Sequence, residues 1–167
     1  MEQSIPALLV AAILIFAGVL IAGVTNSSVQ TVNDSWREME SISEDRLGTE
    51  LSVVSTSVSS DNLEVTAVMG NQGRTPLIDF NHMDMIVAYE GTDARRYTTW
   101  VPYSETTPQP DNSWRVSAIT NDYHNPGIVD TGEQVSLVLK LNPAVQTGPE
   151  RWLILATETG VAYTVYF

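Results

Sequence analysis

The residues best suited to chemistry in this chain are its two histidines and the carboxylates beside them. His82 lies in the stretch DFNHMD with Asp79 and Asp84, and His124 lies in NDYHN with Asp122. An imidazole next to a carboxylate can move a proton, and either set could offer ligands to a metal ion. The spacing argues against both uses. Neither histidine has the i, i+4 partner of a helical zinc site, and no cysteine is present to complete a ligand set. Loops rich in Asp and Asn attract calcium, but DFNHMD lacks the glycine turn and closing glutamate of an EF-hand loop. DTG at 130–132 occurs in aspartic proteases, yet a lone DTG ahead of an alternating stretch reads as a turn, as does GTD at 91–93. No nucleophile elbow, phosphate loop or dinucleotide fingerprint is present. Polar loop residues at strand ends are the plainer explanation. The expectation is a chain that is not an enzyme, with no catalytic residue, no cofactor and no metal ligand.

The elements that would hold those loops come from the patterning of the whole chain. Its 167 residues suit one domain of about 110–120 residues plus an N-terminal appendage. The formal charge is −12, and from residue 51 onward 13 acidic residues face 6 basic ones. Nucleic-acid binding needs a basic face to neutralise phosphates, so this balance excludes it. Lys140 is the single lysine.

Residues 5–24 are almost purely apolar, and apart from Glu2 no charged residue precedes Asp34. Twenty residues at 1.5 Å each span about 30 Å, the thickness of a bilayer core. A signal peptide would carry a basic start, a shorter apolar run and a small-residue cleavage site, none of which fits MEQS and TNSSVQTVN. A plain signal anchor would have Lys or Arg on its cytoplasmic flank, and none occurs before Arg37. The expectation is that a basic leader precedes the processed chain. After Val24, the apolar residues Val29, Val32, Trp36, Met39 and Ile42 recur at helical spacing, which predicts one helix from about Ile5 to Glu44, apolar all round and then amphipathic. Small residues recur within it, with Ala7/Ala11 and Gly18/Ala22 at the small-xxx-small spacing that lets helices approach closely. Sequons at Asn26 and Asn33 fall on this helix, where packing would keep them unmodified.

The remainder reads as short strands with turns at near-regular intervals. Candidate strands are 51–58, 63–70, 83–91, 95–103, 113–119, 133–141, 151–157 and 161–167, the last two joined as a hairpin. Val135, Leu137, Leu139 and Leu141 share one face, as do Leu63, Val65, Ala67 and Met69. The fold class expected is α+β, a long N-terminal α-helix followed by an antiparallel immunoglobulin-like β-sandwich, with units 1–47 and 48–167 and Gly48 as cap or hinge.

A long helix, apolar at its start and followed directly by a sandwich, resembles the archaellin branch of the type IV pilin-like superfamily. The resemblance rests on SIPALLVAAILIFAGVLIAGVTNSS (4–28), on the amphipathic extension to about Ile42, on LEVTAVMGNQGRTPL (63–77) with its Asn-x-Gly turn, and on GIVDTGEQVSLVLKL (127–141). Bacterial-type pilins carry glutamate at the fifth mature position; Ile5 stands there in this numbering and favours the archaellin branch. The resemblance implies an extracellular, cell-surface helical filament of identical subunits serving motility or adhesion. Such a subunit waits in the membrane, loses its leader to a dedicated peptidase and is packed by an ATPase-driven platform. The residues expected to pack helix on helix are Ile5, Leu8, Leu9, Ala11, Ala12, Ile15, Phe16, Gly18, Val19, Ala22, Gly23, Val29, Val32, Trp36 and Met39. Two alternatives stand beside the filament subunit. One is a minor or anchoring archaellum component contacting the cell envelope, and the other is a single-pass surface sandwich that binds a ligand.

Overall fold

The computed structural model describes residues 4–148 and 150–167; the side chains of residues 4–8, 21–23 and 25–27 lie outside that description. Among the described residues one α-helix, α1 (Ser4–Gly48), precedes eight strands: β1 (Leu51–Val58), β2 (Glu64–Asn71), β3 (Asp84–Glu90), β4 (Arg96–Val101), β5 (Ser113–Thr120), β6 (Gln134–Lys140), β7 (Trp152–Ala156) and β8 (Ala162–Tyr166). The chain divides into two compact units, Met1–Ser43 and Glu44–Phe167.

The helical spacing placed the end of α1 near Glu44, but the helix runs one turn further, to Gly48. The reason lies in its last carbonyl groups, which a helix leaves without internal partners. The Asp45 carbonyl accepts from the Thr49 hydroxyl at 2.7 Å and from the Thr75 hydroxyl at 3.0 Å. The Gly48 carbonyl accepts from the backbone N–H groups of Arg74 and Thr75. The final turn is therefore held by sandwich residues distant in sequence. Among the described residues no helix is long and apolar enough to cross a membrane, so the expected 20-residue span is not met there. The unbroken stretch of that run whose side chains are described is residues 9–20, about 18 Å of helix.

The strands form two antiparallel four-stranded sheets, in the orders β1-β2-β6-β5 and β4-β3-β7-β8. Alternation sets the inner faces. On β6, Val135, Leu137 and Leu139 point inward, with Leu141 just beyond the strand, and all four are at most 1% exposed. They lie opposite Met69, Ala67 and Val65 of β2 on one side and Val116 and Trp114 of β5 on the other. The second sheet supplies Met85, Val87, Leu153, Leu155 and Val165, also buried. Trp114 is fully buried and meets the Tyr103 ring edge-on at 4.8 Å. Both edge strands of the first sheet carry register shifts, at Val53/Ser55 in β1 and Val116/Ala118 in β5, which disrupt their free ladders against stray pairing.

Candidate assembly surface

The side chains with the most chemical potential are tied into local structure. His82 Nδ1 lies 2.6 Å from Asp79 Oδ2, and this hydrogen bond, foremost, lowers the Asp79 pKa below the usual carboxylate range. Asp79 also accepts from the Asn81 N–H and so caps the short 3-10 turn Phe80–His82. Asp84 looks elsewhere: its Oδ1 accepts from Trp100 Nε1 at 2.9 Å. Asp122 accepts from the Gly127 N–H, and His124 is exposed on the same loop. DTGE is a turn. Gly132 has a φ of +85°, its N–H donates to the Asn71 carbonyl, and Glu133 Oε2 accepts from the Asp130 N–H. Among the described residues no three His, Cys, Asp or Glu side chains gather where they could hold a metal ion.

Sequence reasoning passed over the residues that build the joint below α1. Asn71, fully buried at the end of β2, donates through Nδ2 to the carbonyls of Thr75 and Val129 and accepts from the Gly73 N–H through Oδ1. Its single side chain satisfies three backbone groups in the turn, as the Asn-x-Gly spacing allows. Gly73 lies against the backbone of Gly48 and Glu50, where a Cβ would overlap both. Arg46 Nε donates to the Thr159 carbonyl at 2.7 Å, and the Thr49 and Thr159 hydroxyls meet at 3.0 Å. The sequence signal was present in NQGRTP, but its partners are far away along the chain.

The largest unassigned feature is the helix surface of the first unit. Leu9, Ile15, Phe16 and Val19 are 58–68% exposed, and the Trp36 and Met39 side chains are 66% and 59% exposed. Val29 and Val32 are each 54% exposed, while Ala11 and Ala12 are exposed as well. A Cβ built on Gly18 would meet nothing within 4 Å. The side chains of Ile5, Leu8, Ala22 and Gly23 lie outside the described residues. The Ser28 and Ser35 hydroxyls of the two sequons donate back to the helix carbonyls of Val24 and Thr31. Large apolar side chains thus point to every side of a single helix, and scattered single residues of this kind are normal where a continuous surface is not.

Comparison with known proteins bears on what that surface serves. A family model described as archaeal-type flagellin matches residues 5–167. Among solved structures, the archaellum periplasmic stator protein complex FlaF and FlaG from Sulfolobus acidocaldarius is similar, with a TM-score of 0.51 at 18% identity, covering 71% of this chain and 89% of that one. The archaellum periplasmic stator protein FlaG from the same organism matches with a TM-score of 0.49 at 18% identity, covering 71% and 99%. No curated protein matches this chain.

Proposed function

Because the chain belongs to the archaeal-type flagellin family, a family of structural rather than enzymatic proteins, we propose that it is a subunit of an extracellular archaellum-like filament, built by packing N-terminal helices. The observation that carries this reading is the row of described apolar side chains on α1, Leu9, Ile15, Phe16, Val19, Val29, Val32, Trp36 and Met39, each 54–68% exposed. Such a helix has no stable solitary state in water, since every face must be covered by lipid or by like helices. A head-to-tail packing that does not close yields an open fibre. Burying on the order of 1,500 Å² of apolar surface per subunit at about 25 cal/mol per Å² amounts to tens of kcal/mol before ordering costs. Before assembly the apolar segment waits in the membrane, with a leader peptidase and an ATPase-driven platform as its partners. Small-xxx-small spacing suits both situations, because it allows close helix approach without a hydrophobic driving force.

The sandwich fold shared with the stator complex makes a minor or anchoring archaellum component the competing reading. Abundance separates the two. Cell-surface material is sheared, imaged by negative stain and mapped by peptide sequencing. A filament subunit is the dominant protein of the fibres, and its N-terminal peptide maps just ahead of the apolar run 5–24. Intact fibres in which this chain is a trace component overturn the filament reading in favour of the anchor.

A further inference from the structure

The middles of two strands of the second sheet are apolar on both faces. In β3, Met85, Val87 and Tyr89 point inward, yet Ile86 on the outer face is 39% exposed. In β7, Leu153 and Leu155 point inward, and Trp152 and Ile154 are half-buried outside. Register aligns these outer residues. Ile86 lies between Trp100 and Ile154, and Trp152 lies opposite Tyr166. Trp100 and Tyr166 are 55% and 61% exposed. The Trp100 N–H is already satisfied by Asp84, so its ring offers solvent only apolar surface. The first sheet is different: its outer face carries Glu64, Arg115 and Lys140.

We infer that the outer face of β4-β3-β7-β8 is the seat of a neighbouring copy's sandwich, which presents its β1 strand to it. This rests on the filament reading above. Three observations select this occupant. First, an open polymer needs two unlike surfaces on each subunit. Away from single exposed side chains in loops, the described sandwich has one other exposed apolar stretch, Val53 and Val54 at 47% and 49% on β1. Second, the chain carries a charge of −12, so two copies repel wherever charges face each other. β1 has no charged residue among its eight; on the second sheet's face the charges stand at the two ends, where Asp84 accepts from the Trp100 N–H and Glu90 opposes Arg96. Third, the exposed face offers on the order of 400 Å² of apolar side-chain surface, about half of what one partner contributes to a free-standing interface. It therefore suits a contact made between sandwiches already held close by their packed helices, where tethering supplies the effective concentration.

The absence of cysteine makes the test clean. Thr98, exposed on the outer face beside Trp100, and Ser55, exposed on β1, are each replaced by cysteine in the full chain, singly and together. Assembled polymer and unassembled chain in detergent are treated with a short bifunctional maleimide. The expected result is a ladder of dimers, trimers and larger species from T98C/S55C polymer, with neither single variant laddering and no ladder in detergent. Dimers from T98C alone show the face meeting itself and overturn the arrangement. Intact polymer from the double variant with no ladder overturns this inference while leaving the filament reading standing. A wild-type chain that forms no polymer overturns the filament reading and this contact with it.

Discussion

Gly73 lies so close to the carbonyl oxygen of Gly48 that no side-chain atom fits between them. The backbone N–H of Gly73 donates to the Glu50 carbonyl, so the turn after β2 and the segment leaving α1 are joined at their main chains. Gly73 is not in the left-handed region, so the demand is purely steric. Gly73→Ala forces one backbone to move. Overpacking of this kind costs about 1–3 kcal/mol. Thermal unfolding of the β-rich unit, followed by near-ultraviolet circular dichroism, is expected to fall by several degrees, and an unchanged melting temperature contradicts the close approach.

Asn71 is a second test of the same turn. Asn71→Leu leaves the Thr75 and Val129 carbonyls and the Gly73 N–H without their side-chain partner in a buried place. The Gly73 N–H keeps the Glu50 carbonyl and the Val129 carbonyl keeps the Leu77 N–H, so the Thr75 carbonyl is the group left stranded, at about 1–3 kcal/mol, while the other two each lose one of two partners. The variant is expected to lose more stability than Gly73→Ala, measured by urea midpoint at constant slope. A smaller loss means that water replaces the amide.

The last helical turn sets where the chain can be cut. A fragment of residues 44–167 keeps the Arg46–Thr159 and Asp45–Thr75 hydrogen bonds, and a fragment of residues 49–167 lacks them. Both are expected to be soluble, monomeric and mainly β. The shorter one also lacks the Gly48 carbonyl that accepts from the Arg74 and Thr75 N–H groups, so it should be less stable by at least about 1–3 kcal/mol, what two ordinary hydrogen bonds contribute. Equal melting of the two fragments would assign that turn to the helix alone, and filaments formed by either would remove assembly from the helix.

Lys140 and Asp111 give the sandwich an acid-sensitive link. Asp111 accepts from Lys140 Nζ at 2.8 Å and from Asn142 Nδ2 at 3.0 Å, and the lysine, foremost, lowers its pKa from the ordinary value. A carboxylate with a lowered folded-state pKa contributes stability that is fully present above its unfolded pKa and lost as the pH falls through the folded one. The stability gap between wild type and Asp111→Asn is therefore expected to be constant above about pH 5 and to close in stronger acid. Denaturant melts across that range check the sign; a gap that widens on acidification contradicts it.

Gly18 separates folding from assembly. Nothing lies within 4 Å of a Cβ placed there, so a side chain at Gly18 starts into open space in the single chain. In a bundle of close helices the added side chain repeats in every subunit and costs about 1–3 kcal/mol each time. Filaments should be fewer, shorter or less heat-resistant, with the melting of the sandwich unchanged. Equal filament yield would mean that Gly18 does not face a neighbouring helix.

What the sequence determined by itself was local. The positions of all eight strands followed from alternation and turn residues, because side-chain direction in a strand repeats every two residues whatever the strand pairs with. The burial of Val135, Leu137 and Leu139 followed for the same reason, as did the reading of DTGE as a turn. The apolar helix was legible because its pattern needs no partner to be seen. Tertiary structure decided what depends on residues far apart. Backbone ladders carry no side-chain code, so nothing in β2 named β6 as its neighbour across more than sixty residues, or β7 as the neighbour of β3. The extra helical turn to Gly48 exists because Arg74 and Thr75 reach its carbonyl, and Asn71 matters because Val129 lies beside it. The runs MIVAY and WLILA could be read only as strands; that both of their faces are apolar, with one left bare, became meaningful once the sheet had a defined inside and outside.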